Sequence, residues 1–231
     1  MLEMFNAKNY FDYSRTLAAP LFDGIEYPWE VLPRLESFIL ALGPMLPADE
    51  FEQVSDNVWI SRSAVVAPTA SITGPCIIDS GAQIRHCAFI RGNVIVGKGT
   101  VVGNSCEVKN SLLFDEVEAP HFNYVGDSIL GYKSHLGAGA ITSNIKNDKK
   151  NVEVHFQLGS IETNMRKLGA IVGDGVQVGC NCVLNPGTVI GKETRIYPLN
   201  SIRGWIDEKS IYKQIYANAN SLSTTFIPTI E

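Results

Sequence analysis

The sequence predicts an all-β fold, a parallel β-helix wound in six-residue steps, and three features of the chain point to it. Large apolar residues recur at every sixth position: Ile60, Val66, Ile72, Ile78, Ile84, Ile90, Val96, Val102 and Val108, with Phe114 in the tenth place. Small residues fall four positions after the early beats, at Ala64, Ala70, Cys76, Ala82 and Ala88, and again at Cys106. Glycine often follows the aliphatic residue, as in "VGKGTV", "VGNSCE", "LGAGAI" and "IGKETR". Neither the helical period of about 3.6 nor strand alternation with turns roughly every 8–12 residues fits this spacing. One large and one small inward residue per step fit short strands that turn a corner each time, three steps making a coil with three flat faces.

Residues 1–56 read as an N-terminal, partly helical cap. "YPWEVLPRLESFILALG" places Leu32, Leu35, Phe38, Ile39 and Leu42 on one helical face, and Gly43 and Pro44 stop it. A solenoid exposes unpaired strand edges at both ends, so capping is the role expected of such a flank. Residues 57–206 form the β-helix. Within "EAPHFNYVGD" the six-residue slots fall on Pro120 and Gly126, and the beat resumes late, at Leu130 and Leu136. The missed beat predicts an outward bulge over 118–127 that presents His121 and Tyr124. A second interruption, 144–170, contains the alternating "VEVHFQL" and a turn-forming "LGS", which predicts a β-hairpin leaving the prism on its functional face. The beat then returns at Val172, Val178, Leu184, Ile190, Ile196 and Ile202. Residues 207–231 are expected to add a C-terminal cap, with a short helix and an extended tail.

The chain has 231 residues, 45% hydrophobic and 19% charged, with a net charge of −5, so neither nucleic acid nor an anionic membrane surface is an expected partner. No apolar run approaches the roughly 20 residues that span a bilayer, and the first residues lack the apolar core of a signal peptide. A cytoplasmic protein is expected. The five cysteines are odd in number and form no CxxC pair. Cys76, Cys106 and Cys182 fall on the small-residue position, which suits buried thiols better than disulfides or metal ligands.

A convex prism has no cleft of its own, whereas ligand sites need concavity. Reactive groups are therefore sought at the interruptions and in grooves between neighbouring prisms. There the chain carries "FIRGNVIVGKGTVVGNSCEVKNS", "HFNYVGDSILGYKSHLGAGAITSN" and "RKLGAIVGDGVQVGCNCVLNPGTVIGKETRIYP". Over roughly residues 58–206 it resembles the acetyltransferase domain of the bifunctional enzyme that makes UDP-N-acetylglucosamine, a glucosamine-1-phosphate N-acetyltransferase, in its archaeal-type versions, which also act on galactosamine-1-phosphate. The glycine-rich nucleotide-binding start of the uridylyltransferase half has no counterpart here.

The resemblance implies a left-handed β-helix, a homotrimer with its sites in grooves between prisms, acetyl-CoA as cosubstrate, and no metal requirement for acetyl transfer. It implies His121 as general base, a role imidazole suits because the attacking amine must lose a proton. Tyr124, Arg91 and Lys109 match residues that hold the sugar phosphate, as bidentate arginine and point-charge lysine do. Glu107 matches a carboxylate that could orient His121 or the amine, and Asn144 a substrate-holding asparagine. Lys150 lies near a family lysine. Ala138 matches a backbone contact to acetyl-CoA, and Cys180 stands where a serine often lies beside it. His135 departs from the family asparagine: either it replaces that residue's hydrogen bond or the pocket accepts a different amino sugar.

Two other functions fit a β-helix. A γ-class carbonic anhydrase needs three zinc-binding histidines, two of them five residues apart, a spacing absent among His86, His121, His135 and His155. A non-catalytic module that oligomerises or regulates a separate sugar nucleotidyltransferase needs no reactive residues, and then His121, Tyr124 and Asn144 together go unexplained.

Overall fold

In the computed structural model, which describes residues 3–217 and 221–228, the repeat forms a parallel β-helix with three faces. The first face runs from Val58–Ser61 and Cys76–Ile78 up to Trp205–Ile206, the second from Val65–Val66 to Arg195–Ile196, and the third from Ser71–Ile72 to Ser201–Ile202. Each strand is two to four residues long because the chain must turn after every inward residue. Inward residues stack coil on coil, Ile78 on Val96, Val96 on Leu113, Leu113 on Leu130, Leu130 on Val172 and Val172 on Ile190, all fully buried. Each aliphatic side chain so enclosed contributes about 1.5–3 kcal/mol relative to exposure. Cys76, Cys106 and Cys182 are buried free thiols, while Cys87 and Cys180 are exposed.

The register differs from a simple count of six. Val102 pairs with Ala119 and Val108 with Val125, both in step and both pointing inward, so no bulge forms over 118–127. The shortened steps flank that segment: Val108 to Leu113 and Val125 to Leu130 are five residues each, at the corner between third and first faces. There the Ser111 and Ser128 hydroxyls donate to the carbonyls of Lys109 and Gly126, each at 2.8 Å, tightening the turn. Phe114 is thus one residue past the beat. It stacks on Phe11, ring centroids 4.9 Å apart, and meets Phe22 edge-on, outside the prism.

Those partners belong to the N-terminal segment, which runs down the first face from the last coil to the first. Phe5 meets Trp205, the Asp12 amide donates to Asp174 Oδ2 at 2.7 Å, the Asp115 amide donates to the Arg15 carbonyl, and Gly43 packs against the Trp59 ring. The α-helix Leu35–Leu42 follows a seven-residue 3-10 helix, Pro28–Arg34, and lies against Val94–Val96. Leu32 of the 3-10 helix and Leu35 and Ile39 of the α-helix are buried, while Phe38 and Leu42 of the expected face are half-buried. The cause is legible on the first face itself, where the residue before each beat is also apolar: Trp59, Ile77, Ile95, Leu112, Ile129, Ile171, Val189 and Trp205. A sheet apolar on both sides must be covered on both.

Edge capping falls to strand Phe51–Ser55, antiparallel to Val58–Ser61, and at the far end to Ser210–Ala217 and Ser221–Pro228. These last form an antiparallel hairpin added to the second face, in place of the expected short helix. Both segments are rich in β-branched and aromatic residues, which favour that pairing over helix. The extreme tail, 229–231, lies outside the described residues. The inserted hairpin, Glu153–Phe156 with Gly159–Glu162, also differs from expectation in its position. Phe156 packs on Phe5, ring centroids 5.5 Å apart, so the hairpin joins the first-face covering, while the two ends of the insertion meet beside the third face, where the Leu168 amide donates to the Asn144 carbonyl. Among the described residues no helix is long and apolar enough to cross a membrane.

Burial pushes the Cys76 thiol and the Tyr13 phenol up to about 12, and raises Tyr10 still further. All three are neutral when protonated, and the unfolded chain ionises them first, from 9.0 for the thiol and 10.0 for the phenols. Their stabilisation is complete below pH ~9 and falls above it by about 1.4 kcal/mol per pH unit for each group titrating in the unfolded chain alone. Urea midpoints should therefore decline from pH ~9 to ~11, with a shallower onset in Cys76→Ala. A flat profile over that range would contradict the burial of these groups.

Candidate active site

The third face carries a polar cluster built by register. Glu107 lies between Phe89 and Tyr124 on one outward row, with Ile141 next, and Lys109 pairs with Gly126 on the neighbouring row. Arg91 Nη1 donates to Glu107 Oε1 at 2.6 Å, and that carboxylate holds the guanidinium above its ordinary pKa. Lys109 Nζ donates to Asp127 Oδ2 at 3.2 Å, in a pair whose side chains are only 19% and 6% exposed. Asn110 Nδ2 reaches Asp127 Oδ1 at 2.8 Å, and Asn144 Nδ2 donates both to Asp127 Oδ2 and to the Tyr124 hydroxyl, the latter at 3.2 Å. Gly126 makes room for this: a Cβ there would stand 2.6 Å from the Tyr124 hydroxyl and 2.9 Å from Asn144 Nδ2. Arg91, Glu107, Lys109, Tyr124 and Asn144 are thus on one face, with both cations facing carboxylates of the same chain.

His121 sits at the adjoining corner, between second and third faces. It pairs with Asn104 below, and its carbonyl accepts from the Gly139 amide at 3.0 Å above. The Ala138 carbonyl in turn accepts from Asn181, next to Cys180, so the corners of His121, Ala138 and Cys180 are stacked in successive coils. The His121 side chain is exposed, and its imidazole has no partner among the described residues. The Ala138 amide likewise finds no acceptor there.

Sequence reasoning missed the residue that fixes this corner. Asn123, 2% exposed, accepts from the His121 amide at 3.1 Å and donates to the carbonyls of Gly137 at 2.8 Å and Ala140 at 3.1 Å. In the corrected register it occupies the small-residue column of Ala70, Ala88, Cys106, Ala140 and Cys182, where Asn200 is a second buried amide. It was hidden because the count of six had drifted by one. Asp127 was missed for a plainer reason: no spacing marks it.

Two expected site residues lie elsewhere in the chain. His135 is on the second face, opposite Glu118, with Nδ1 and Oε2 2.8 Å apart, beside a cavity of about 420 Å³ also lined by Glu116, Lys133 and Gln177. Lys150 is exposed in the approach to the hairpin, where its amide donates to Asp148 Oδ1. Among the described residues no three of His, Cys, Asp and Glu gather as a metal site would require.

A three-faced parallel β-helix with a polar cluster along one face and corner defines a hexapeptide-repeat protein. The chain belongs to the family described as the GMPPB C-terminal domain, which matches residues 72–190. It is 36% identical over 193 residues to the Bifunctional protein GlmU of Methanococcus maripaludis, covering 82% of this chain and 47% of that protein. It is 30% identical over 177 residues to the bifunctional sugar-1-phosphate nucleotidylyltransferase/acetyltransferase of Sulfurisphaera tokodaii, covering 74% and 43%. The chain therefore spans about half the length of the curated relatives it matches. Among solved structures, UDP-N-acetylglucosamine O-acyltransferase (LpxA) from Moraxella catarrhalis aligns over 74% of this chain and 73% of its own, at 14% identity and a TM-score of 0.39.

Proposed function

We propose that this protein is an acetyl-CoA-dependent N-acetyltransferase acting on a hexosamine 1-phosphate, glucosamine or galactosamine, and working as a homotrimer whose sites lie between copies. The observation that carries the proposal is the convergence of His121, Tyr124, Asn144, Glu107, Arg91 and Lys109 on one corner and face of a chain whose relatives are named for sugar-1-phosphate and acetyl transfer.

Acetyl-CoA supplies the acyl group as a thioester. The amine attacks that carbonyl as the unpartnered His121 imidazole takes its proton, the new C–N bond forms, the C–S bond breaks, and the departing thiolate takes the proton from the imidazolium to leave as the coenzyme thiol. The free Ala138 amide, one coil above His121, is the donor suited to the developing oxyanion. Arg91 and Lys109 hold the phosphate, and Glu107, bonded to Arg91 and next to Tyr124 in register, faces the amine. His135 and Glu118 lie on another face and would reach the same substrate only from a neighbouring copy, which is why the site is assigned to a trimer.

Two measurements test this. Thiol release is followed with acetyl-CoA and either amino-sugar phosphate, and mass in solution is measured by sedimentation. Turnover by a particle of three chains is expected. The absence of turnover with both sugars would remove the enzymatic function and favour the regulatory-module alternative, and a monomer would remove the shared site.

A further inference from the structure

We infer that Asp127 is a positioning residue for the phosphate-binding part of this site, an inference that rests on the proposed function. Asp127 is 4% exposed, and its carboxylate is approached by three side-chain donors from the two neighbouring coils: Lys109 and Asn110 below it, and Asn144 above. Through Asn144 it also sets the Tyr124 hydroxyl. A buried carboxylate is costly unless each oxygen is bonded, and here each is.

The corner alone does not require a charge. The coil below makes the same five-residue step with Asn110, at φ +43°, where Asp127 has φ +49°. The amide side chain at that place satisfies the left-handed backbone, so the carboxylate of Asp127 answers to something else. Asp127 is instead surrounded by three donors, one of them charged: Lys109 Nζ lies at 3.2 Å from it, and its long, rotatable stem would otherwise leave the ammonium in many positions. Asp127 therefore holds at one place the cation, the amide and the phenol that are assigned to the sugar phosphate. Asparagine keeps its volume but has one acceptor oxygen, so it cannot serve both the Lys109 side and the Asn110 side.

Steady-state kinetics on the full chain test this with Asp127→Asn, Lys109→Met and the double variant, each first shown to be folded. Asp127→Asn is expected to raise the KM for glucosamine-1-phosphate about tenfold and to move that for acetyl-CoA by less than about twofold. In the Lys109→Met background the same change should add less than about twofold, because the partner through which it acts is gone. A merely structural aspartate would instead raise both KM values alike or act with full strength in either background, and either result overturns the inference, as does an unchanged KM.

Should the unaltered chain turn over no amino-sugar phosphate, the functional proposal fails on that result alone. The positioning role is then decided by acylating lysines with an amine-reactive reagent and following the Lys109 peptide by mass. Labelling at least about threefold faster in Asp127→Asn supports the role, and unchanged labelling overturns it.

Discussion

His121→Ala is expected to lower kcat for acetyl transfer by about 10²–10⁴-fold, the usual worth of a positioned proton acceptor. Thermal stability should stay within about 0.5 kcal/mol, because the imidazole is exposed and has no partner among the described residues. That contrast gives the experiment its force: a large kinetic loss in a protein that melts normally can come only from chemistry or ground-state contact with substrate. The two are separated by KM. Loss of a proton acceptor lowers kcat and kcat/KM together, whereas loss of a binding contact raises KM with kcat preserved. Unchanged kcat in His121→Ala would remove the histidine from the mechanism. A wholly inactive but destabilised variant is not expected, since Asn123 holds the corner through the His121 backbone amide, which alanine retains.

Much of this architecture is legible in the chain, because a solenoid writes its core position at a fixed interval. Inward residues from Ile60 to Val108 follow directly from the count of six. The count fails after Val108 for a physical reason. Two corners are closed by a serine hydroxyl and an αL residue, which saves one residue each, and no side chain at the beat records the saving. Phe114 conceals the first loss because it is apolar, and it is apolar because the first face is covered by the N-terminal segment. The missed beat at "EAPHFNYVGD" therefore reflects the two shortened steps on either side of the segment and not a bulge within it. His121 is presented by an ordinary corner of the prism, in step, and the irregular turns on either side bring Asn110 and Asp127 under the third-face cluster. The candidate site residues, Arg91, Glu107, Lys109, Tyr124 and Asn144, are implied by resemblance, and the register puts them on one face. His135 could not be placed from sequence, since its partner Glu118 lies one coil away and is recognisable only once the two strands are paired.

The covering of the first face leads to the largest expected effect on stability. Phe114→Ala should cost about 3–5 kcal/mol, as removal of a buried aromatic ring does when its surroundings cannot close over the space. Phe114 is fully buried between Leu113, which faces the prism core, and the rings of Phe11 and Phe22 in the N-terminal segment. Were Phe114 itself the inward residue of its coil, its loss would leave Phe11 untouched, and Phe11→Ala and Phe114→Ala would add. In the observed register the two rings stack on each other, so the double variant should fall short of the sum by about 0.5–1.5 kcal/mol, the worth of an aromatic pair beyond its burial. Urea denaturation of the four proteins in the cycle measures that difference. Strict additivity would return Phe114 to the prism interior and detach the N-terminal segment from the first face. A shortfall of the expected size ties residues 3–46 to the β-helix as part of its core, because this segment and the inserted hairpin cover the apolar row from Trp59 to Trp205.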